Sequence, residues 1–342
     1  MIILYILIAV LAFGFLIFIH ELGHFMFAKK FGVAITEFSI GMGPKIFSKT
    51  GKDGVEYTLR AFPLGGFVAM EGEDEESDNP NAFNKKNAWQ RFIIVLAGAV
   101  MNLIVGIIIM TILVSTHPLY GSTTISKFQD NSPTQQAGIQ IGDEILKINS
   151  SRVHTSSELS YEIMRNGYKP ISITVLRNGE KITFDNVQLP QTTSQGVVFG
   201  MPDFSVAPVE KSFSSVVKNS FFTCKSTIKM VWESIFDLFT GRYGVEQVSG
   251  PIGVTGAITD AAKSGAYSLF YLIAVIAINL GVFNLLPIPA LDGCTLLLLL
   301  VEMITKKKIP EKIEATIKTI GFMLLILIAI LVSFKDIIYL FK

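Results

Sequence analysis

The chain has 342 residues, half of them apolar, with 29 Lys and Arg against 28 Asp and Glu and a mean hydropathy of +0.50. That composition excludes a disordered chain and an ordinary soluble enzyme, and the charge balance leaves no basic surplus for nucleic acid. It points to a membrane protein with one polar portion. Two cysteines, Cys224 and Cys294, lie far apart, one of them inside an apolar run, which argues against a disulfide framework.

Residues 1–30 open with an uncharged run from Ile2 to Ile19 that leads straight into His20-Glu21-Leu22-Gly23-His24. The run lacks a basic start and a small-residue cleavage site, so it reads as a retained transmembrane helix and not a signal peptide. His20 and His24 fall one turn apart on one helical face. That spacing lets both imidazoles hold one Zn2+, with Glu21 placed as general base. Two histidines can also simply satisfy each other or the backbone. At membrane depth, however, a cluster of polar groups is costly and marks function.

Residues 31–91 form a Lys- and Arg-rich loop, which assigns it to the cytoplasmic side. Within it, residues 56–72 read as strand, Pro-Gly-Gly turn and strand, with an apolar tip of Phe62, Pro63, Leu64, Phe67 and Val68. Either the tip dips toward the bilayer or the hairpin packs on the loop. The acidic stretch 72–81 reads as solvated loop. Residues 92–116 form the second transmembrane helix, small-residue-rich at Ala97-Gly98-Ala99, with Asn102 as its one strongly polar interior side chain.

Residues 117–205 change character and read as a small mixed domain. Gly138, Gly142 and Asp143 precede an alternating strand. Residues 158–166 read as a short helix, and Asn178-Gly179 joins two β runs as a hairpin. His117 and His154 have no partner at ligand spacing and read as solvated. Within 206–265, residues 211–240 read as an amphipathic helix, apolar on one broad stripe with Lys and Ser opposite; it either lies in the membrane interface or packs on the mixed domain. The Gly-rich 241–258 reads as loop or re-entrant segment.

The third transmembrane helix, 266–304, is interrupted by 284–293, where Pro287 and Pro289 remove backbone donors and unwind the chain. Irregular backbone at membrane depth is tolerated only within protein or beside a watery cavity. Asp292 sits in that break, at a depth compatible with His20, and is read as the third zinc ligand. Glu302, the other acid nearby, lies close to Lys306, Lys307 and Lys308. A cytoplasmic loop, 305–316, and a fourth helix, 317–342, complete four spans. Both termini and the mixed domain then fall outside.

His-Glu-Leu-Gly-His at the end of helix one, Leu291-Asp292-Gly293 in a Pro-broken later helix, and the intervening 38–44, 63–66 and 250–253 stretches together resemble the site-2 family of intramembrane zinc metalloproteases. The likeness is strongest to the bacterial branch that regulates sigma-E, and it covers nearly the whole chain. It implies an α-helical polytopic membrane protein of four transmembrane helices, with an inserted extracytoplasmic mixed α/β PDZ domain (the 137–149 segment resembles one) and a cytoplasmic-side β-hairpin. By the same resemblance His20, His24 and Asp292 match the metal ligands, Glu21 the catalytic glutamate, and Asn284 a residue that holds the substrate backbone. The hairpin matches a membrane-associated one that adds a strand to unwound substrate. Candidate substrate contacts are therefore Asn284, Pro287, Pro289, Gly65, Gly66 and Phe67.

The implied partners are single-span membrane proteins already shortened by another protease, anti-sigma factors or remnant signal peptides, with the lipid bilayer and without nucleic acid. The implied location is a bacterial plasma membrane, with the active site near the cytoplasmic face. One PDZ domain stands where some relatives carry two. Cys294 stands where a glycine often follows Asp-Gly, and reads as packing. Glu21 would take a proton from water and pass it to the leaving amine. A non-proteolytic PDZ-containing membrane scaffold is the alternative, separated from the enzyme by a zinc assay. A transporter would show repeated halves, and no second copy of either motif is present.

Overall fold

A computed structural model of the chain describes residues 2–73, 76–194, 196–242, 244 and 248–340. In chain order the elements begin with α1 (Ile2–Lys30), β1 (Ile35–Thr50), β2 (Glu56–Met70), a 3-10 turn (Phe83–Lys85) and α2 (Ala88–Thr116). There follow β3 (Leu119–Phe128), α3 (Pro133–Gln136), β4 (Glu144–Ile148), β5 (Ser151–Arg152), α4 (Ser156–Asn166), β6 (Ile171–Arg177) and β7 (Glu180–Val187). Then come β8 (Gln191–Ser194), β9 (Val197–Gly200), β10 (Phe204–Glu210), α5 (Phe213–Phe239), α6 (Pro251–Ser264), α7 (Ala266–Asn284), α8 (Asp292–Thr305) and α9 (Glu311–Leu340). The chain divides into two compact units, one of residues 1–108 with 248–342 and one of residues 109–247.

Among the described residues four helices are long and apolar enough to cross a membrane, over Leu7–Lys30, Ala88–Thr116, Ala266–Asn284 and Ile313–Ile338. With the β-sheet regions they make a polytopic membrane protein. The third apolar stretch is interrupted where its prolines predict: α7 alone has 19 residues, and α8 is a separate helix of 14. Between them residues 285–291 leave the helix, as two prolines in three residues require. Arg91 at the start of α2 meets Glu302 near the end of α8 at 2.5 Å, with both side chains largely buried. Lys308 donates to the Asn84 carbonyl at 2.9 Å. These contacts draw the lysine-rich end of α8 toward the start of α2.

In the first unit the segment around the Pro-Gly-Gly turn is more than a hairpin. Residues 35–40 of β1 pair with 66–70 of β2 on one side, residues 37–40 pair with 56–59 on the other, and 45–50 pairs back on 56–60. The sheet thus has four arms built from two bent strands, and among the described residues arm 66–70 has one strand neighbour. The expected strand–turn–strand over 56–72 accounts for just two of them, because the partner, 35–50, has little alternating pattern of its own. Phe62 at the corner is exposed. The side chains of Pro63 and Leu64, and residues 74 and 75 of the acidic stretch, lie outside what is described. Burial pushes the Glu37 carboxyl up, but hydrogen bonds from Thr58 and Arg60 outweigh it and hold the group below the ordinary carboxylate range. One apolar core joins Phe25 and Ala28 of α1, Phe38 and Val68 of the sheet, Ile94 and Val95 of α2, and Leu296 and Leu299 of α8.

The Gly-rich 241–258, expected as loop or re-entrant, is helical from Pro251, while residues 243 and 245–247 lie outside the described chain. Asp336 of α9 supplies what the local sequence lacks. Its Oδ2 accepts the backbone N–H of Gly250 at 2.9 Å and of Gly253 at 2.8 Å, capping α6 from another helix.

In the second unit a sheet runs in the order β10-β3-β4-β6-β7, with β5 on β4, and β8 pairs separately with β9. Asn178 and Gly179, at φ of 52° and 86°, form the tight β6–β7 turn. Ile125, Ile145, Ile148, Ile163 and Ile173 fill the core. Asp143, buried, accepts from Arg177 at 2.7 Å and from the Gln140 N–H at 2.9 Å. Two lysines of α5 reach acids of α4, Lys225 meeting Glu158 at 3.8 Å and Lys229 meeting Glu162, and Arg165 of α4 meets Asp237 at 2.8 Å. The apolar stripe is divided. Cys224 and Val231 are buried, whereas Phe213, Phe221 and Trp232 are exposed. His154 is not a solvated histidine. Its Nδ1 lies 2.9 Å from Glu158, and its ring stacks on Phe222.

Candidate metal centre

Three polar side chains converge in the first unit: His20 and His24 from α1, and Asp292 from the first residue of α8. The two Nε2 atoms are 3.2 Å apart, and Asp292 Oδ2 lies 3.2 Å from the first and 3.4 Å from the second. The helix repeat brings the histidines together. The proline break brings Asp292 to them, since it ends α7 and lets the chain restart as α8. Ala290, two residues before, has φ of 75°, a left-handed conformation that costs a non-glycine residue stability and that the surrounding packing must hold.

The histidine rings are fixed from behind. His24 Nδ1 lies 2.9 Å from the Ile94 carbonyl, so this nitrogen carries the proton and donates, leaving the Nε2 lone pair aimed at the cluster. The Asn284 amide lies 3.5 Å from His20 Nδ1. A His20 that uses Nε2 as ligand is protonated on Nδ1, so the amide oxygen belongs on that side, an orientation set by the network. Gly98 of α2 lets the helices close on the pair. A Cβ there would collide with the His24 imidazole and come within 2.8 Å of His20 Cε1.

The cluster has the donor set and spacing of a zinc site. Zinc with ligands at about 2.0–2.1 Å in a tetrahedron sets neighbouring donor atoms about 3.3–3.4 Å apart, and the three observed separations fall close to that edge. Two imidazole lone pairs and a carboxylate oxygen face one another, and Asp292 Oδ2, buried, has no hydrogen-bond donor among the described residues. A cation between them would satisfy all three acceptors at once.

A cavity of about 580 Å³ opens on this cluster. Glu21, Asn284 and Phe67 line it, together with Val68, Met70, Glu73, Val95, Ala290, Thr295, Lys318, Thr319 and Phe322. The Val68 backbone N–H, on arm 66–70, faces the Glu21 carboxylate. Of the other candidate substrate residues, Gly66 packs between Ser39 and Glu21, Gly65 against Met42, Pro289 against Gly321, and Pro287 is exposed; these four do not line the cavity. Sequence reasoning missed Lys318 and Thr319, and noted Gly98 only as part of a small-residue run. A lysine two turns inside an apolar helix, and the small-residue run of α2, were the only marks.

Spanning helices with a half-buried His-His-Asp cluster and a carboxylate beside it define a membrane-embedded metallopeptidase. Comparison with known proteins agrees. The sequence matches the model of Peptidase family M50 over residues 8–328. It is 39% identical over 339 residues, covering 98% of this chain and 97% of the relative, to a chain of Clostridium acetobutylicum named as a zinc metalloprotease. Another so named, from Fusobacterium nucleatum, is 34% identical over 345 residues, covering 98% and 99%. The regulator of sigma-W protease RasP of Bacillus subtilis is 29% identical over 419 aligned positions, covering 96% and 97%. The chain belongs to peptidase family M50, and it is a zinc metalloprotease.

Proposed function

We propose that the protein cleaves peptide bonds within the membrane-spanning segments of single-span proteins, with His20, His24 and Asp292 holding the zinc and Glu21 acting as general base and acid. The observation that carries this reading is the meeting of three ligand atoms at tetrahedral-edge separations inside a bundle of spanning helices. When bound, zinc supplies Lewis-acid polarisation of the scissile carbonyl and acidifies water. Glu21 takes the proton from the attacking water and delivers it to the leaving amine. Asn284 steadies His20 and is within reach of a substrate main chain in the cavity. A helical substrate must first unwind. Arm 66–70, with one strand neighbour and Phe67 and Val68 on the cavity wall, offers backbone groups that offset the lost helical hydrogen bonds.

By the same reading the active site lies near the cytoplasmic face of a bacterial plasma membrane, residues 117–205 are an extracytoplasmic PDZ domain, and the termini are outside. The naming of the Bacillus subtilis relative as a regulator of sigma-W protease supports anti-sigma factors as the substrate class. Two experiments test the reading. Purified enzyme in proteoliposomes is given a panel of single-span helices, with and without chelator, and the products are mapped by mass spectrometry. Cuts inside the span that chelator abolishes are expected; cuts confined to soluble flanks would refute it. Glu21→Gln should retain zinc and lose at least about a hundredfold in rate.

A further inference from the structure

The cavity wall opposite the sheet comes from α9, through Lys318, Thr319 and Phe322, which share one helical face. Gly321 seats the helix there. A Cβ at that position would lie 2.5 Å from the carbonyl carbon of Pro289, in the broken stretch that carries Asp292. The side of α9 that faces the catalytic cavity is thereby fixed, and a lysine stands on it. Lys318 and Glu314, one turn earlier, pair at 2.9 Å within the candidate span Ile313–Ile338, about a quarter of each side chain being accessible. Ionisable groups inside a span are expensive and mark pathways or sites.

The other ionisable residues lining the cavity are His20, His24 and three acids, Glu21, Glu73 and Asp292; Lys318 is the one lysine or arginine among the described lining. An ammonium has three N–H donors, so a substrate acceptor can share Lys318 with Glu314 or displace a weaker acceptor. A carboxylate accepts a shorter and stronger hydrogen bond from an ammonium than a neutral carbonyl does, so it competes best for donors that Glu314 already shares. Lys318 also stands two turns into α9 from the side of Lys306, Lys307 and Lys308.

We propose that Lys318 is a specificity-determining residue that binds a carboxylate side chain of the substrate, on the side of the scissile bond nearer the lysine-rich end of the spans. This rests on the proteolytic reading of the cavity.

The test uses full-length enzyme in proteoliposomes and single-span reporters that differ only in carrying Glu, Gln or Lys at successive positions on that side of the cut. At one or two adjacent positions the Glu reporter should show a kcat/KM about tenfold above the Gln reporter. The Glu-to-Gln ratio should fall to near one in Lys318→Gln, persist in Lys318→Arg, and give way to a preference for Lys in Lys318→Glu. Ratios within each variant cancel any general loss of active enzyme. Affinities of the same reporters for Glu21→Gln, with and without Lys318→Gln, give the same comparison where rates are too low. A wild-type ratio near one at every position, or a ratio that Lys318→Gln leaves intact, overturns the inference and leaves the proteolytic reading standing. Cleavage of no reporter, the unsubstituted one included, overturns both.

Discussion

Gly98 stands where α2 passes the two imidazoles, and no larger residue fits between them. Gly98→Ala should push the His24 ring off its line to the Ile94 carbonyl and lower zinc affinity roughly 10–100-fold, as loss of outer-shell support does. Competition with a chromogenic chelator measures this. Unchanged affinity would mean the ring is held by its metal alone. The histidines themselves were legible, because a four-residue spacing on a helix states its geometry outright. Asp292 was legible because an acid in a Pro-broken apolar run needs a partner. Gly98 and the Ile94 carbonyl were not, since a contact between helices leaves no periodic trace in either of them.

At the scale of elements, α6 shows where local pattern fails. Glycines at 250, 253 and 256 argue against a helix, and the carboxylate that stabilises its start lies on α9, more than eighty residues away. Asp336→Ala should leave the Gly250 and Gly253 N–H groups without that acceptor and cost about 1–2 kcal/mol. Faster hydrogen exchange confined to 251–264, with a lower Tm, would be the signature; unaltered exchange there would show that α6 needs no cap. The sheet makes the complementary point. The β2 arms were visible through the Pro-Gly-Gly corner, but β1 was not. Its glycines and polar residues hide a strand that is paired on both sides along 37–40. The charged face of α5 was visible as a face, yet its partners, Glu158, Glu162 and Arg165 on α4, follow only from the fold.

For the molecule as a whole, the count of spanning helices came from hydropathy, while the arrangement that makes a site came from ion pairs and turns. The second unit carries an acid-sensitive element of its own. Burial raises the Asp143 carboxyl, but Arg177 and the Gln140 N–H outweigh it, so its folded pKa lies below the unfolded one. Such a group contributes stability that is complete above the unfolded carboxylate value, about 3.9, and is lost as pH falls through the folded value. Asp143→Asn should therefore lower the unfolding temperature at pH 7 and narrow its gap to wild type below about pH 4. A pH-independent gap would assign the loss to packing.

The metal site remains the point on which the account turns, and its most direct test is zinc K-edge X-ray absorption of the purified full-length protein. One zinc per chain is expected in a shell of nitrogen and oxygen at about 2.0–2.1 Å, with imidazole scattering from two rings and no sulfur near 2.3 Å despite Cys294 two residues from Asp292. Asp292→Ala should lose one oxygen from that shell or the zinc altogether. A sulfur shell, or a spectrum that the loss of Asp292 does not change, would contradict it.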